Sequence, residues 1–295
     1  MPLDDQPSAS AFNVALCRAI AAFEPREEIK GPDHLAEIFL PEVSRQSLRN
    51  LAIRPVVMQK VNAFSPGAYE FFMARTAYMD GVVERALREN VPQIVFLGAG
   101  YDTRTYRFCH LIRDTRIFEV DTLATQEAKR AALEQAQVAI PDQLSFLAVD
   151  FTRDDLLARL TSAGFAEGLR TLYVWEGVTY YLPPDTVDAM FAFMRAHAPA
   201  GSLVCFDYMF AASELEGRFG AQQARDAMLA TYGSEPLYFD LAPDQLEAFL
   251  AARGYAVVEH LTAPDMQRRY LTLRDGSPAG EALDLFGMVL AEAVS

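Results

Sequence analysis

Residues 95–104 read Val95-Phe96-Leu97-Gly98-Ala99-Gly100-Tyr101-Asp102-Thr103-Arg104. An apolar run enters a Gly-x-Gly turn and leaves it on residues suited to open a helix. Gly98 and Gly100 have no Cβ, so the chain can turn tightly there and its backbone stays open to a close neighbour. A helix starting beyond the turn aims its free N–H groups at the same place. The third glycine of a GxGxxG fingerprint is missing, because Thr103 stands at that position. Many such turns carry no ligand, so the flanking sequence has to decide between a nucleotide site and a plain turn.

Outward from the turn, short apolar runs alternate with helical segments. The strand candidates are 93–98, 116–121, 144–151, 171–178, 202–208, 256–262 and 286–293. Most are nearly continuous apolar runs, as expected of strands covered by helices on both faces of a parallel sheet. Helices are expected at 104–112, 122–138, 152–163, 184–197 and 243–253. In the fourth of these, Val187, Met190, Phe191 and Met194 share a face, and Gly254 follows the last. This order predicts a doubly wound, mostly parallel seven-stranded α/β sheet.

Residues 1–90 read differently, as successive helices that would cap a core at 91–295. Gly31-Pro32 precedes a short helix at 33–39, and Pro55 breaks or kinks a helical segment. Phe72, Thr76, Met79, Val83 and Ala86 mark a helix between Gly67 and Asn90. Residues 209–240 and 264–280 exceed ordinary connections, and insertions of that length commonly form lids or substrate walls.

Acidic residues recur at the ends of the central strands. Asp121 ends the second strand, 23 residues after Gly98. A carboxylate there can accept hydrogen bonds from both hydroxyls of a ribose, whereas the plain alternative is an N-cap by Asp121 or Thr122. Asp150 and Phe151 end the third strand, where they can meet an adenine or where Asp150 or Thr152 can open the next helix. Glu176 leaves the fourth strand in Trp175-Glu176-Gly177-Val178-Thr179-Tyr180-Tyr181. A carboxylate there needs a partner, either a ligand ammonium or a local arginine.

Composition narrows the ligand further. Lys+Arg number 26 against 40 Asp+Glu, a formal net charge of −14. That argues against nucleic-acid and anionic-membrane partners. Cys17, Cys109 and Cys205 are scattered and form no CxxC, and the four histidines show no ligand spacing, so neither a disulfide framework nor a metal site is expected. The N-terminus lacks the basic and apolar regions of a secretory signal, and a cytoplasmic protein is the expectation.

The segments FLGAGYDTRTYRF, FEVDTLATQEAKR, VDF and WEGVTYYL together resemble the leucine carboxyl methyltransferase family, over roughly residues 30–210. The resemblance implies a class I methyltransferase fold, Rossmann-like, with S-adenosylmethionine (SAM) as cofactor. Carried over by motif, Gly98 and Gly100 would lie under the methionine part. Asp121 would hold the ribose, Asp150 and Phe151 the adenine, and Glu176 the α-amino end. Ala74-Arg75-Thr76 matches an element whose arginine pairs with the SAM carboxylate, a task suited to a guanidinium. Lys30, before Gly31-Pro32-Asp33, stands where the family places a second basic residue. Its alternative is an exposed loop lysine.

The acceptor atom follows from which groups are missing. A carboxylate is already ionised at neutral pH and needs no general base, whereas a phenol or alcohol usually does. No histidine falls in a strand-end motif: His197 ends a helix, and His260 lies on a late strand. Carboxyl O-methylation of a small molecule or peptide terminus is therefore the first expectation and phenolic O-methylation of a polyketide-like metabolite the second. Tyr180 and Tyr181 are candidates to orient the acceptor, with one ring expected to pack into the core. Arg268 and Arg269 either attract an acidic substrate or form a solvated helix face. An NAD-dependent oxidoreductase lacks support at Thr103 and has no Tyr-x-x-x-Lys. A non-catalytic nucleotide-binding protein is the remaining alternative.

Overall fold

The computed structural model describes residues 7–50, 52–151, 153–231 and 236–295. Thr152, one candidate opening of a helix, and positions 232–235 of the long segment lie outside them. Seven strands form one sheet: β1 Gln93–Leu97, β2 Arg116–Asp121, β3 Leu144–Ala148, β4 Thr171–Trp175, β5 Leu203–Met209, β6 Tyr255–Leu261 and β7 Phe286–Ala293. Their order is β3-β2-β1-β4-β5-β7-β6. β1 to β5 pair in parallel, and β7 runs antiparallel between β5 and β6. The expected doubly wound, mostly parallel sheet is what forms. Every residue of β1 and β4 is buried, which explains why these central strands read as unbroken apolar runs.

The chain winds outward from β1 to β3, then returns beside β1 as β4. The reversal opens a crevice at the carboxyl ends of β1 and β4, where such sheets bind ligands. Among the described residues four α-helices precede the sheet: α1 Ala9–Ala22, α2 Glu42–Arg49, α3 Arg54–Phe64 and α4 Ala68–Arg88. Pro55 is in the first turn of α3, where its missing N–H has no intrahelical partner to lose. It therefore starts a helix and does not kink one. α4 begins at Gly67, whose φ is +75°; a Cβ there would lie 2.5 Å from the Leu283 nitrogen. Met79, Val83 and Ala86 of α4 are buried. Phe72, expected on the same stripe, instead faces the crevice.

The remaining helices are α5 Arg104–Arg107, α6 Leu123–Gln135, α7 Leu156–Ser162, α8 Pro184–His197, α9 Ala221–Thr231, α10 Leu246–Ala251 and α11 Ala263–Tyr270. The helix expected over 104–112 is only the four residues of α5, followed by a 3₁₀ turn at Cys109–Leu111. Arg104 and Arg107 are drawn into buried ion pairs, and the chain must reverse promptly to reach β2. The strand expected to Phe151 stops at Ala148, and the one expected to Val178 stops at Trp175. Glu176 and Asp150 thus stand on the bends beyond the ladder. Among the described residues no helix is long and apolar enough to cross a membrane.

Candidate active site

A cavity of about 580 Å³ opens at the carboxyl ends of β1, β2 and β4. That is a size suited to a nucleoside-bearing ligand, since small-molecule sites span roughly 300–1,000 Å³. Gly98, Gly100, Asp121, Asp150, Phe151 and Glu176 all line it, as do Arg75, Tyr180 and Tyr181. Residues predicted from four separate strand ends and from α4 therefore converge on one space.

The glycine turn is built as its sequence requires. Gly98 has φ +72°, and a Cβ there would come 2.5 Å from Val178 Cγ2. Gly100 has φ +45°, a region that L side chains occupy only under strain. Gly100 N–H donates to Asp121 Oδ2 at 2.6 Å, and Thr122 N–H donates to Oδ1 at 2.7 Å. Asp121 thus braces the turn. Burial raises its carboxyl above the ordinary range, against the lowering effect of those two N–H groups. A carboxylate offers about four acceptor positions, so it retains acceptor capacity toward the cavity. Thr122, not Asp121, is the residue preceding α6, and Asp155 caps α7 by accepting from Ala158 N–H at 3.0 Å. Neither strand-end aspartate is spent as a helix cap.

Glu176 enters a buried charge network. Arg75 Nε lies 3.0 Å from its Oε1, and Arg104 Nη1 donates to its Oε2 at 2.7 Å. Burial alone would raise its carboxyl, but Arg104 and then Arg75 outweigh that and hold it at about 2. The local-arginine partnership is therefore realised, while the same carboxylate still faces the cavity. Arg75 also donates to Asp207 Oδ2 at 2.7 Å. Asp207, on β5, is fully buried, accepts from Gly177 N–H at 2.6 Å, and is raised by burial despite Arg75. The network continues from Arg104 to Asp102 and to Asp80 at 2.8 Å. Arg107 joins Asp80 at 2.6 Å and Asp33 at 3.5 Å, and Arg18 Nη1 meets Asp33 at 3.2 Å. Arg18, Arg75, Arg104 and Arg107 face Asp33, Asp80, Asp102, Glu176 and Asp207, which leaves one formal negative charge in excess.

Arg18, Asp102 and Asp207 were not singled out from the sequence. Arg18 lines the cavity, donates to the Tyr101 carbonyl at 2.7 Å, and its buried Nε has no hydrogen-bond partner among the described residues. An arginine inside the apolar run Val14 to Ala22, and an acid inside the apolar strand Leu203 to Met209, were the available signals. Lys30 corrects the expectation made for it. It is exposed, its Nζ donates to Glu27 at 3.2 Å, and it is not among the residues lining the cavity. A 3₁₀ turn at Glu27–Ile29 turns it toward solvent, so the second arginine at the site is supplied by α1.

The other side of the cavity is apolar. It is formed by Val57 and Val61 of α3, Phe72 of α4, Met228 of α9 and Phe286 of β7. Tyr180 is 4% exposed and its ring packs 5.1 Å from Phe286, whereas Tyr181 is half-buried. Burial raises the Tyr180 hydroxyl far above its usual value. α9 places the 209–240 segment over this side. Residues 264–280 contribute none of the lining; α11 packs elsewhere, and Arg268 and Arg269 pair with Asp265 and Glu259. The carboxylates lining the cavity are Asp102, Asp121, Asp150 and Glu176, all near the strand ends, and no histidine lines it among the described residues. His197 pairs with Glu167 at 2.7 Å and His260 with Tyr208 at 3.1 Å, both outside it.

A model of the family described as "Leucine carboxyl methyltransferase" matches residues 11–195. A Bacillus subtilis protein named "Putative S-adenosyl-L-methionine-dependent methyltransferase YktD" is 30% identical over 206 residues, covering 68% of this chain and 66% of that protein. A Streptomyces avermitilis protein whose name begins "Putative S-adenosyl-L-methionine-dependent methyltransferase" is 31% identical over 270 residues, 86% of each chain. Among solved structures, one titled as a "putative methyltransferase" from Thermobifida fusca superposes with a TM-score of 0.59 at 15% identity, covering 99% of this chain and 96% of that one. That last likeness is one of fold.

Proposed function

The chain belongs to the leucine carboxyl methyltransferase family, and from that premise we propose that it methylates a carboxylate oxygen of a small molecule or a peptide terminus. It is a SAM-dependent methyltransferase. The observation that carries the acceptor class is the apolar side of the cavity, which presents neither histidine nor carboxylate among the described residues. With no base at hand, the acceptor must arrive ionised, and a carboxylate does so at neutral pH.

The residues present fit the cofactor. SAM carries a carboxylate, an ammonium and a sulfonium, one net positive charge. The buried network has one negative charge in excess and exposes Arg18, Arg75, Asp102 and Glu176 to the cavity. When bound, SAM supplies an electrophilic methyl group that an oxygen can attack in line with the departing sulfur. The chain's own part is positioning. Arg75 and Arg18 hold the ligand carboxylate, and Glu176 its ammonium. Asp121 accepts from the ribose hydroxyls, and Asp150 and Phe151 border the adenine. Gly98 and Gly100 keep the turn free of side chains. Tyr180 and Tyr181 orient the acceptor, and Tyr180 keeps its proton throughout. Val57, Val61, Phe72 and Met228 exclude water, so that alignment of nucleophile and methyl group supplies most of the acceleration.

Calorimetry with SAM, S-adenosylhomocysteine and NADH tests the cofactor side, and base treatment of the methylated product tests the acceptor. Asp121→Asn is expected to weaken SAM at least tenfold, about 1.4 kcal/mol, while Lys30→Ala leaves it unchanged. The product is expected to lose its methyl group in mild base, as an ester does. A base-stable methyl ether would replace the carboxyl acceptor with a phenolic one. A preference for NADH would remove the cofactor assignment.

A further inference from the structure

We propose that Lys60 is a specificity-determining residue that reads the negative charge of an amphipathic acceptor entering the apolar side of the cavity. The inference rests on the reading of that side as the acceptor side. No Asp or Glu occurs between Glu42 and Glu70, although acids make up 40 of the chain's 295 residues. The cations in that stretch are Arg45, Arg49, Arg54 and Lys60. Arg45 pairs with Glu42 at 2.8 Å and Arg49 with Glu37 at 2.9 Å. Arg54 donates to the carbonyls of Leu48 and Phe23, both at 2.9 Å. Lys60 has neither an ion pair nor a hydrogen bond among the described residues, and it lines the cavity.

Helical spacing puts Lys60 beside Val57, three positions away, and Val57 beside Val61, four positions on, and all three line the cavity. The other cations of the lining, Arg18 and Arg75, are buried and already engaged by Asp33, Glu176 and Asp207. With Arg18 and Arg75 assigned to the cofactor carboxylate, Lys60 is the lining cation left for the acceptor among the described residues. It is exposed, so its ammonium stays hydrated until an anion meets it, while its methylene stem can lie along the apolar wall. On a chain of net charge −14, an acid-free helix at the cavity is also the face an anionic acceptor can approach without repulsion. The ligand class is an organic anion with an apolar body.

The test uses two fluorescent probes with the same aromatic body, anilinonaphthalene sulfonate and the uncharged phenylnaphthylamine. Each is titrated into the full chain saturated with S-adenosylhomocysteine, so that the cofactor side is filled. Lys60→Gln is expected to weaken the sulfonate about threefold to tenfold and to leave the neutral probe unchanged. Lys60→Arg is expected to restore the sulfonate. Met228→Trp, which fills the apolar side, is expected to weaken both probes. Wild-type sulfonate binding in Lys60→Gln, equal losses for both probes, or indifference to Met228→Trp would overturn the proposal. Failure of the methyltransferase reading is separately visible, as absence of S-adenosylhomocysteine binding to the wild type.

Discussion

Replacing Arg104 with Met tests the charge network that holds the site together. Arg104 is fully buried and joins Asp80 at 2.8 Å, Glu176 at 2.7 Å and Asp102. Met fills much of the same volume but leaves these carboxylates short of one cation. Glu176 sits at about 2 against an ordinary 4.5, and Arg104 is the strongest of the three arginines that lower it, ahead of Arg75 and Arg18. A depression of that size corresponds to about 3 kcal/mol, and removing one member of a buried pair typically costs about 3–5 kcal/mol. Arg75 still serves Glu176, and Arg107 still serves Asp80. The expected loss is therefore near the lower figure, about 3 kcal/mol, or about 6 °C in Tm. The assay is urea unfolding followed by circular dichroism from pH 7.5 to pH 4. The contribution of a depressed carboxyl is whole above its unfolded value of 4.5 and fades as pH falls toward 2. The gap between wild type and Arg104→Met should thus be constant from pH 7.5 to about 6 and shrink by about 1 kcal/mol at pH 4. A gap below about 1 kcal/mol at pH 7.5, or one that widens on acidification, would refute the reasoning.

Two further outcomes follow from the same geometry. Gly98→Ala must accommodate both φ +72° and a contact at 2.5 Å, whereas Gly168→Ala has φ +76° and nothing within 4 Å; denaturant melts should show a loss of about 1 kcal/mol for the second and about 2–3 kcal/mol for the first, with SAM affinity reduced only for the first. His260→Gln should leave both the methylation rate and its pH profile unchanged, and kcat/KM should be flat from about pH 5 to 9, because no histidine lines the cavity among the described residues; burial lowers His260 below the ordinary imidazole value, and an acid limb below that value abolished by His260→Gln would contradict the carboxylate acceptor.

The fold was legible because its signals are local. A buried parallel strand must be apolar on both faces, so β1 and β4 announced themselves as unbroken runs. The turn at Gly98 and Gly100 was legible because its backbone angles exclude other residues. Asp121, Asp150 and Glu176 could be read because strand ends in this architecture share one edge of the sheet. Their partners were less legible. Asp207 pairs with Arg75 across 132 positions, and Arg18 reaches Tyr101 across 83; spacing along the chain carries no trace of such pairings beyond a charged residue in an apolar run. Lys30 and Lys60 look alike as lysines in a helical, loop-rich region. A 3₁₀ turn directs one to solvent, and the seating of α3 beside the crevice directs the other to the cavity.

Local sequence dictates the alternation of strands and helices, the glycine turn, and the edge at which acids collect. Each depends on residues within one element, where backbone geometry and periodicity leave few choices. Packing between distant elements settles which arginine answers which carboxylate, that α3, α4 and α9 wall off an apolar side, and that among the described residues this side holds no histidine or carboxylate and Lys60 stands at it without an ion pair or hydrogen bond. Those outcomes depend on how elements far apart in the chain pack together, and a charge acquires its chemical meaning only from what lies within a few ångströms of it.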